Sequence, residues 1–104
     1  MARFDVYANP VKSERVMVPF FLDIQSDHIK GVQTRLLVPL WSVDQLPNRS
    51  LDLNPEFNVA GLQVAMDTPA VGAVPVSVLR RPVANLANHQ LPIQNALDML
   101  LGGY

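Results

Sequence analysis

Asn88-His89-Gln90-Leu91-Pro92-Ile93-Gln94-Asn95-Ala96-Leu97-Asp98-Met99-Leu100-Leu101-Gly102-Gly103-Tyr104 is the stretch where the hydrophobic pattern changes period. Ile93, Ala96, Leu97, Leu100 and Leu101 recur at spacings of three, four, seven and eight, while Gln94, Asn95 and Asp98 face elsewhere. That is the pattern of an amphipathic helix burying one stripe. Asn88 is the expected N-cap, Pro92 is tolerable in a first turn, and Gly102-Gly103 offer the left-handed conformation that ends helices. The last turn, Met99-Leu100-Leu101, then two glycines and a tyrosine, leaves an apolar tip and an aromatic residue either to pack on the fold or to dock on a partner.

Upstream, the regular segments read as strands joined by loops. Phe4, Val6 and Ala8 alternate with Asp5 and Tyr7 as an opening strand before Ala8-Asn9-Pro10. Arg15 to Gln25 is the expected second strand, apolar on both faces from Val16 to Leu22, so it should be central or lie against a partner. Gln25 to Gly31 has the short polar residues and glycine of a loop, and Gln33 to Leu40 is the third strand. Ser42 to Pro55 is a long loop with room for one helical turn. Phe57 to Ala60 and Leu62 to Asp67 flank Gly61 as a tight hairpin, with Val59, Leu62, Val64 and Met66 as core candidates, and Val71 to Leu79 is a last strand. The steps Val18-Pro19, Val38-Pro39 and Val74-Pro75 put a residue without an N–H into three strands, which suits edges, bulges or the sharp bends of a small curled barrel. The expected fold is therefore mainly β (α+β): about five to seven antiparallel strands in a small barrel with one C-terminal helix.

At 104 residues, 1–104 is one domain's length. Apolar residues make up 49% and charged residues 16%, against about 25% charged in an ordinary soluble domain. An apolar patch covered by a second copy of the chain would reconcile that shortage with solubility, so a homodimer is expected. The net charge of −1 and pI near 6.0, with basic residues scattered apart from Arg80-Arg81, offer no stripe for successive phosphates, so DNA is not an expected direct partner. Cysteine is absent, Asp5 interrupts any signal-like start, and no apolar run approaches the roughly 20 residues of a spanning helix. A cytoplasmic protein without membrane contact is the expectation.

Little here is arranged for catalysis. The tightest polar cluster is Asp23, Ser26, Asp27 and His28, which matches no triad spacing and is ordinary turn chemistry. His28 and His89 are far apart without carboxylates at ligand spacing, and no glycine-rich loop precedes a helix, so neither a metal nor another cofactor is expected. Arg80-Arg81-Pro82 reads as a solvated turn, and Trp41 as either core or an interface anchor. The chain is expected to act by binding rather than as an enzyme.

Phe4-Asp5-Val6-Tyr7, Leu22-Asp23-Ile24-Gln25-Ser26-Asp27, Val38-Pro39-Leu40, Val74-Pro75-Val76-Ser77-Val78 and Asn95-Ala96-Leu97, in that order, resemble the CcdB family. The resemblance implies a homodimeric SH3-like barrel, shared in outline with the Kid and MazF toxins. It also implies the toxin of a type II toxin–antitoxin pair, which binds the A subunit of DNA gyrase and traps it on cleaved DNA. A short CcdA-like antitoxin neutralises it, and DNA is met only indirectly, through that antitoxin, in repression of the pair's own operon. The family's gyrase contacts fall on the loop after the second strand and on the helix end, which here are His28, Ile29, Asp98, Leu101, Gly102, Gly103 and Tyr104. Ile29 and Gly103 keep the family residue and Leu101 keeps an apolar one. His28 replaces isoleucine, Asp98 replaces asparagine, and Gly102-Gly103-Tyr104 stands where the family has Trp-Gly-Ile. Two alternatives stay open: a non-toxic homologue that keeps dimerisation and antitoxin binding, and an endoribonuclease of the MazF kind using the Asp23–His28 cluster.

Overall fold

The computed structural model describes residues 1–102. Seven strands form one antiparallel sheet: β1 (Asp5–Ala8), β2 (Phe20–Asp23), β3 (Thr34–Ser42), β4 (Glu56–Val59), β5 (Leu62–Met66), β6 (Gly72–Pro75) and β7 (Ala84–Asn85). Their order is β4-β5-β3-β2-β1-β7, with β6 also paired to β3. The long β3 makes this possible. Along its far edge Thr34 to Leu37 pair with β6, and Leu40 to Ser42 pair with β5. Pro39 stands at the handover between the two, where its carbonyl accepts from Asp67 N at 2.9 Å and a missing N–H breaks no ladder. The sheet curls into a small, nearly closed SH3-like barrel, and α1 (Gln90–Leu100) closes it.

Alternation decides what each face holds. Val6, Phe20, Leu22, Val38, Leu40, Phe57, Val59, Val64 and Met66 point into one core with Ile93, Ala96 and Leu97 of α1. On the other face of β1 to β3, Asp5, Tyr7, Asp23, Arg35 and Leu37 are buried as well, and their polarity sets up the site described below.

Several expectations need correction. The second strand begins at Phe20, not Arg15, because the buried Asn9 side chain donates to Val18 O (2.9 Å) and accepts from Val11 N (2.9 Å), holding the intervening residues as a loop. Val16 is 75% exposed there and Met17 is exposed too. The last predicted strand stops at Pro75, since β3 starts at Thr34 and Val76 N to Gln33 O is the final rung; Val76–Val78 then coil into a 3-10 turn. β7 was not foreseen. Leu62 is exposed because β3 reaches β5 only from Val64 onward, so the hairpin tip overhangs the barrel. That tip turns at Ala60-Gly61, with φ of 51° and 84°, the double positive φ of a tight two-residue hairpin. In α1 the N-cap is His89, without a side-chain cap bond, rather than Asn88. The His89 ring packs against Phe57 at 5.2 Å between centroids.

Candidate functional site

The loop from Ile24 to Gln33 is fixed from beneath by charge. Asp23 accepts from Arg35 Nε at 2.6 Å and from Nη2 at 3.0 Å, a two-pronged pair buried at the ends of β2 and β3. Arg35 Nη2 also lies 3.7 Å from Asp27 Oδ1 and donates to Gln25 O, while Gln25 Oε1 accepts from Leu36 N. Hydrogen bonding to Asp23 pushes the Arg35 guanidinium further above its ordinary pKa. Beside this pair, burial and then the negative charges of Asp5 and Asp23 push the Tyr7 phenol up to about 12. Asp5 Oδ1 accepts from Asn85 Nδ2 at 2.9 Å, which ties β7 into the same polar layer.

Above this base, Arg3 connects the loop to the helix. Its backbone N donates to Asp27 Oδ1 (2.8 Å), its Nε to Ile24 O (3.2 Å) and its Nη2 to Gln94 Oε1 (3.1 Å). Asp5 N bonds back to Ala2 O, closing a turn in which Phe4 has φ of 72°. A bulky residue there is strained by roughly 1–3 kcal/mol. Phe4 is held by its own N to Asp23 O (2.6 Å) and by Leu86 N to its carbonyl (2.8 Å), and the Arg3 guanidinium lies 4.7 Å from its ring centroid. The strained turn thereby aims Arg3 across the gap between loop and helix.

Of the residues singled out from the sequence, His28 and Ile29 follow directly on the Asp27 that Arg3 holds, and Asp98 and Leu101 follow Gln94 on the helix. His28 and Ile29 sit exposed at the loop turn, where His28 N donates to Ser26 Oγ and Ile29 N to Ser26 O. Gln94, Asp98 and Leu101 follow at i, i+4 and i+7, so Asp98 and Leu101 continue the helix flank that Arg3 holds. Asp98 is half-buried, whereas Leu101, expected on the buried stripe, is 79% exposed. Each four-residue step overshoots a full turn by about 40°, and this rotates Leu101 away from the buried Leu97 as the helix ends. Gly102 has φ of 75°, the left-handed residue expected there. Gly103 and Tyr104 lie outside the described residues. No direct hydrogen bond joins the loop to Asp98 or Leu101 among the described residues; Arg3, which the sequence reading missed, is the link.

Asp23, Ser26, Asp27 and His28 do not assemble a reactive centre. Asp23 is spent on Arg35 and Gln25 N, Asp27 on Arg3, and Ser26 Oγ on a backbone amide. Trp41 is half-buried, its Nε1 donating to Asp67 Oδ2 at 3.0 Å, and Arg80 and Arg81 are solvated. No helix among the described residues is long and apolar enough to cross a membrane, and no group of three or more ligating side chains forms among them. Ile29 on the loop and Leu101 at the helix end are exposed apolar residues. A family model described as CcdB protein matches residues 3–103, nearly the whole chain, with the loop and helix flank inside it. The chain belongs to the CcdB family of toxins.

Proposed function

We propose that this protein is the toxin of a type II toxin–antitoxin pair. In this reading it binds the A subunit of DNA gyrase with the surface made by His28, Ile29, Asp98, Leu101 and the following residues Gly102 to Tyr104, and holds the enzyme on cleaved DNA. It works as a cytoplasmic homodimer of a single domain, 1–104, without cofactor or catalysis of its own, and a CcdA-like antitoxin neutralises it. The observation that carries the reading is the Arg3 brace, which holds the loop and the helix flank, the family's two contact segments, as one surface. Induction in a sensitive host is expected to arrest growth, and purified gyrase with the protein is expected to accumulate cleaved DNA. Unimpaired growth together with an unchanged cleavage reaction would remove gyrase as the target.

The second reading, a non-toxic homologue that keeps dimerisation and antitoxin binding, is favoured by Gly102. A tryptophan at this position would meet nothing within 4 Å of its Cβ, yet φ of 75° costs a side-chain-bearing residue roughly 1–2 kcal/mol. The tip of this chain is thus shaped for glycine. Gly102→Trp is expected to confer toxicity on an inert parent; an inert variant that still dimerises shows that the tip is not what withholds toxicity.

A further inference from the structure

The helix has a second flank, facing away from Arg3. There Pro92, Asn95 and Met99 line a hollow of about 180 Å³ against Leu51 and Asp52 of the β3–β4 loop. A dry apolar cavity near 150 Å³ admits benzene, so this open hollow has room for one leucine- or phenylalanine-sized side chain. Both walls are fixed. Asn54 Nδ2 donates to Met66 O and its Oδ1 accepts from Ser50 N; Thr68 Oγ1 donates to Leu53 O. Arg49 donates to Val43 O and Leu46 O and pairs with Glu56 at 2.9 Å. α1 in turn packs on the 3-10 turn Thr68–Ala70. A loop tied at so many points nevertheless holds Leu51 73% exposed at the mouth of the hollow. That arrangement contributes nothing to the core and is ready-made for contact.

Charge selects the occupant. Arg49 is neutralised by Glu56, whereas no cation pairs with Asp52 among the described residues. From Val83 to Gly102 the only formal charge is Asp98. We propose that this groove is a second docking site, separate from the Arg3 flank, for a peptide segment that inserts one large apolar side chain and sets a lysine or arginine against Asp52. Met99, unbranched and partly exposed, forms the adaptable lip.

The test is an amide-resolved NMR titration of the full chain with the hexapeptide Lys-Ala-Leu-Ala-Lys-Ala and with its acidic counterpart Glu-Ala-Leu-Ala-Glu-Ala. The basic peptide is expected to move the amides of Leu51, Asp52, Asn95 and Met99, with Kd on the order of millimolar for so short a segment. Changing its leucine to alanine weakens it about tenfold, and the acidic peptide binds up to about fivefold more weakly. Asp52 is exposed, so the Asp52→Asn variant erases that charge preference without touching the fold. No response, equal response to both peptides, a preference that survives Asp52→Asn, or shifts centred on His28 and Ile29 would each overturn the proposal.

Discussion

At the base of the β2–β3 loop two opposite charges, Asp23 and Arg35, are buried and tied by two hydrogen bonds; at the end of α1 an apolar side chain, Leu101, stands 79% in water. Each placement reverses the usual rule of charges outside and leucines inside. The two regions reach the same seam, joined through Arg3 and Gln94, but by different means. The loop takes its shape from an ion pair that would be costly to break, whereas the tip extends from a helix whose anchorage ends one turn earlier. In the proposed function the first region supplies rigidity and the second contact area. Substitutions should therefore separate them, stability tracking the base and binding tracking the tip.

The largest effect is expected at the base. Arg35→Ala leaves the Asp23 carboxylate buried without its partner, which costs about 3–5 kcal/mol, read as a lower urea midpoint. Replacing both partners with apolar residues of similar size should recover much of the loss, because the penalty lies in the orphaned charge. A loss below about 1 kcal/mol for Arg35→Ala would mean that the pair does not organise the loop.

Tyr7 reports on the same buried layer. Its pKa of about 12 in the folded protein stands above the 10.0 of an ordinary tyrosine, so the fold favours the neutral phenol. That contribution is complete below pH 10, where neither state is ionised, and is lost as the pH rises through about 12. The full difference is worth about 2–3 kcal/mol. The expected result is a late phenolate absorbance step, missing in Tyr7→Phe, together with a wild-type stability that falls relative to Tyr7→Phe only above pH 10. Equal pH dependence of the two proteins would show that Tyr7 is not held neutral by Asp5, Asp23 and burial.

How much of this was legible in the sequence follows from how far apart the deciding partners lie. The helix was readable because its period is carried by neighbouring residues, and the hairpin because Ala60-Gly61 is a local turn. The start of β2 was not, since the apolar run from Val16 looks like strand until Asn9 is seen bonding across to Val18. β7, two residues long, has no period to detect. Of the site, the apolar helix end was legible from its own residues as a tip that could pack or dock, and the loop came from the family resemblance. Arg3 lies 24 and 91 residues from Asp27 and Gln94, and no spacing rule connects such partners. A strained Phe4 leaves no trace in composition either.

Arg3 joins the two regions, so Arg3→Ala should weaken both readouts unequally. The fold loses two side-chain hydrogen bonds on a partly exposed group, about 1 kcal/mol. The backbone bond to Asp27 survives the substitution. Target binding, which in the proposed function uses loop and helix together, should fall further than this loss predicts. Arg3→Lys, which lacks the planar fork, should restore little of it. Parallel losses in stability and binding would reduce Arg3 to an ordinary structural contact.

The smallest effect on stability is expected at Leu101, and it makes the sharpest contrast. Leu97, one turn earlier, is 8% exposed and part of the core, whereas Leu101 contributes only its backbone N–H, bonded to Leu97 O at 3.0 Å. Leu101→Ala keeps that bond and a good helix former, so the urea midpoint should move by no more than the equivalent of about 0.5 kcal/mol. An apolar contact on a binding surface is worth more than that. With gyrase as the target, as proposed, loss of this side chain should weaken the complex by about 1–2 kcal/mol, roughly five- to thirtyfold. Calorimetric titration of gyrase with the variant, alongside its denaturation curve, decides the point. A large loss of stability would mean that the tip packs on the barrel after all. An unchanged affinity would leave the loop as the only contact and remove the helix flank from the binding surface.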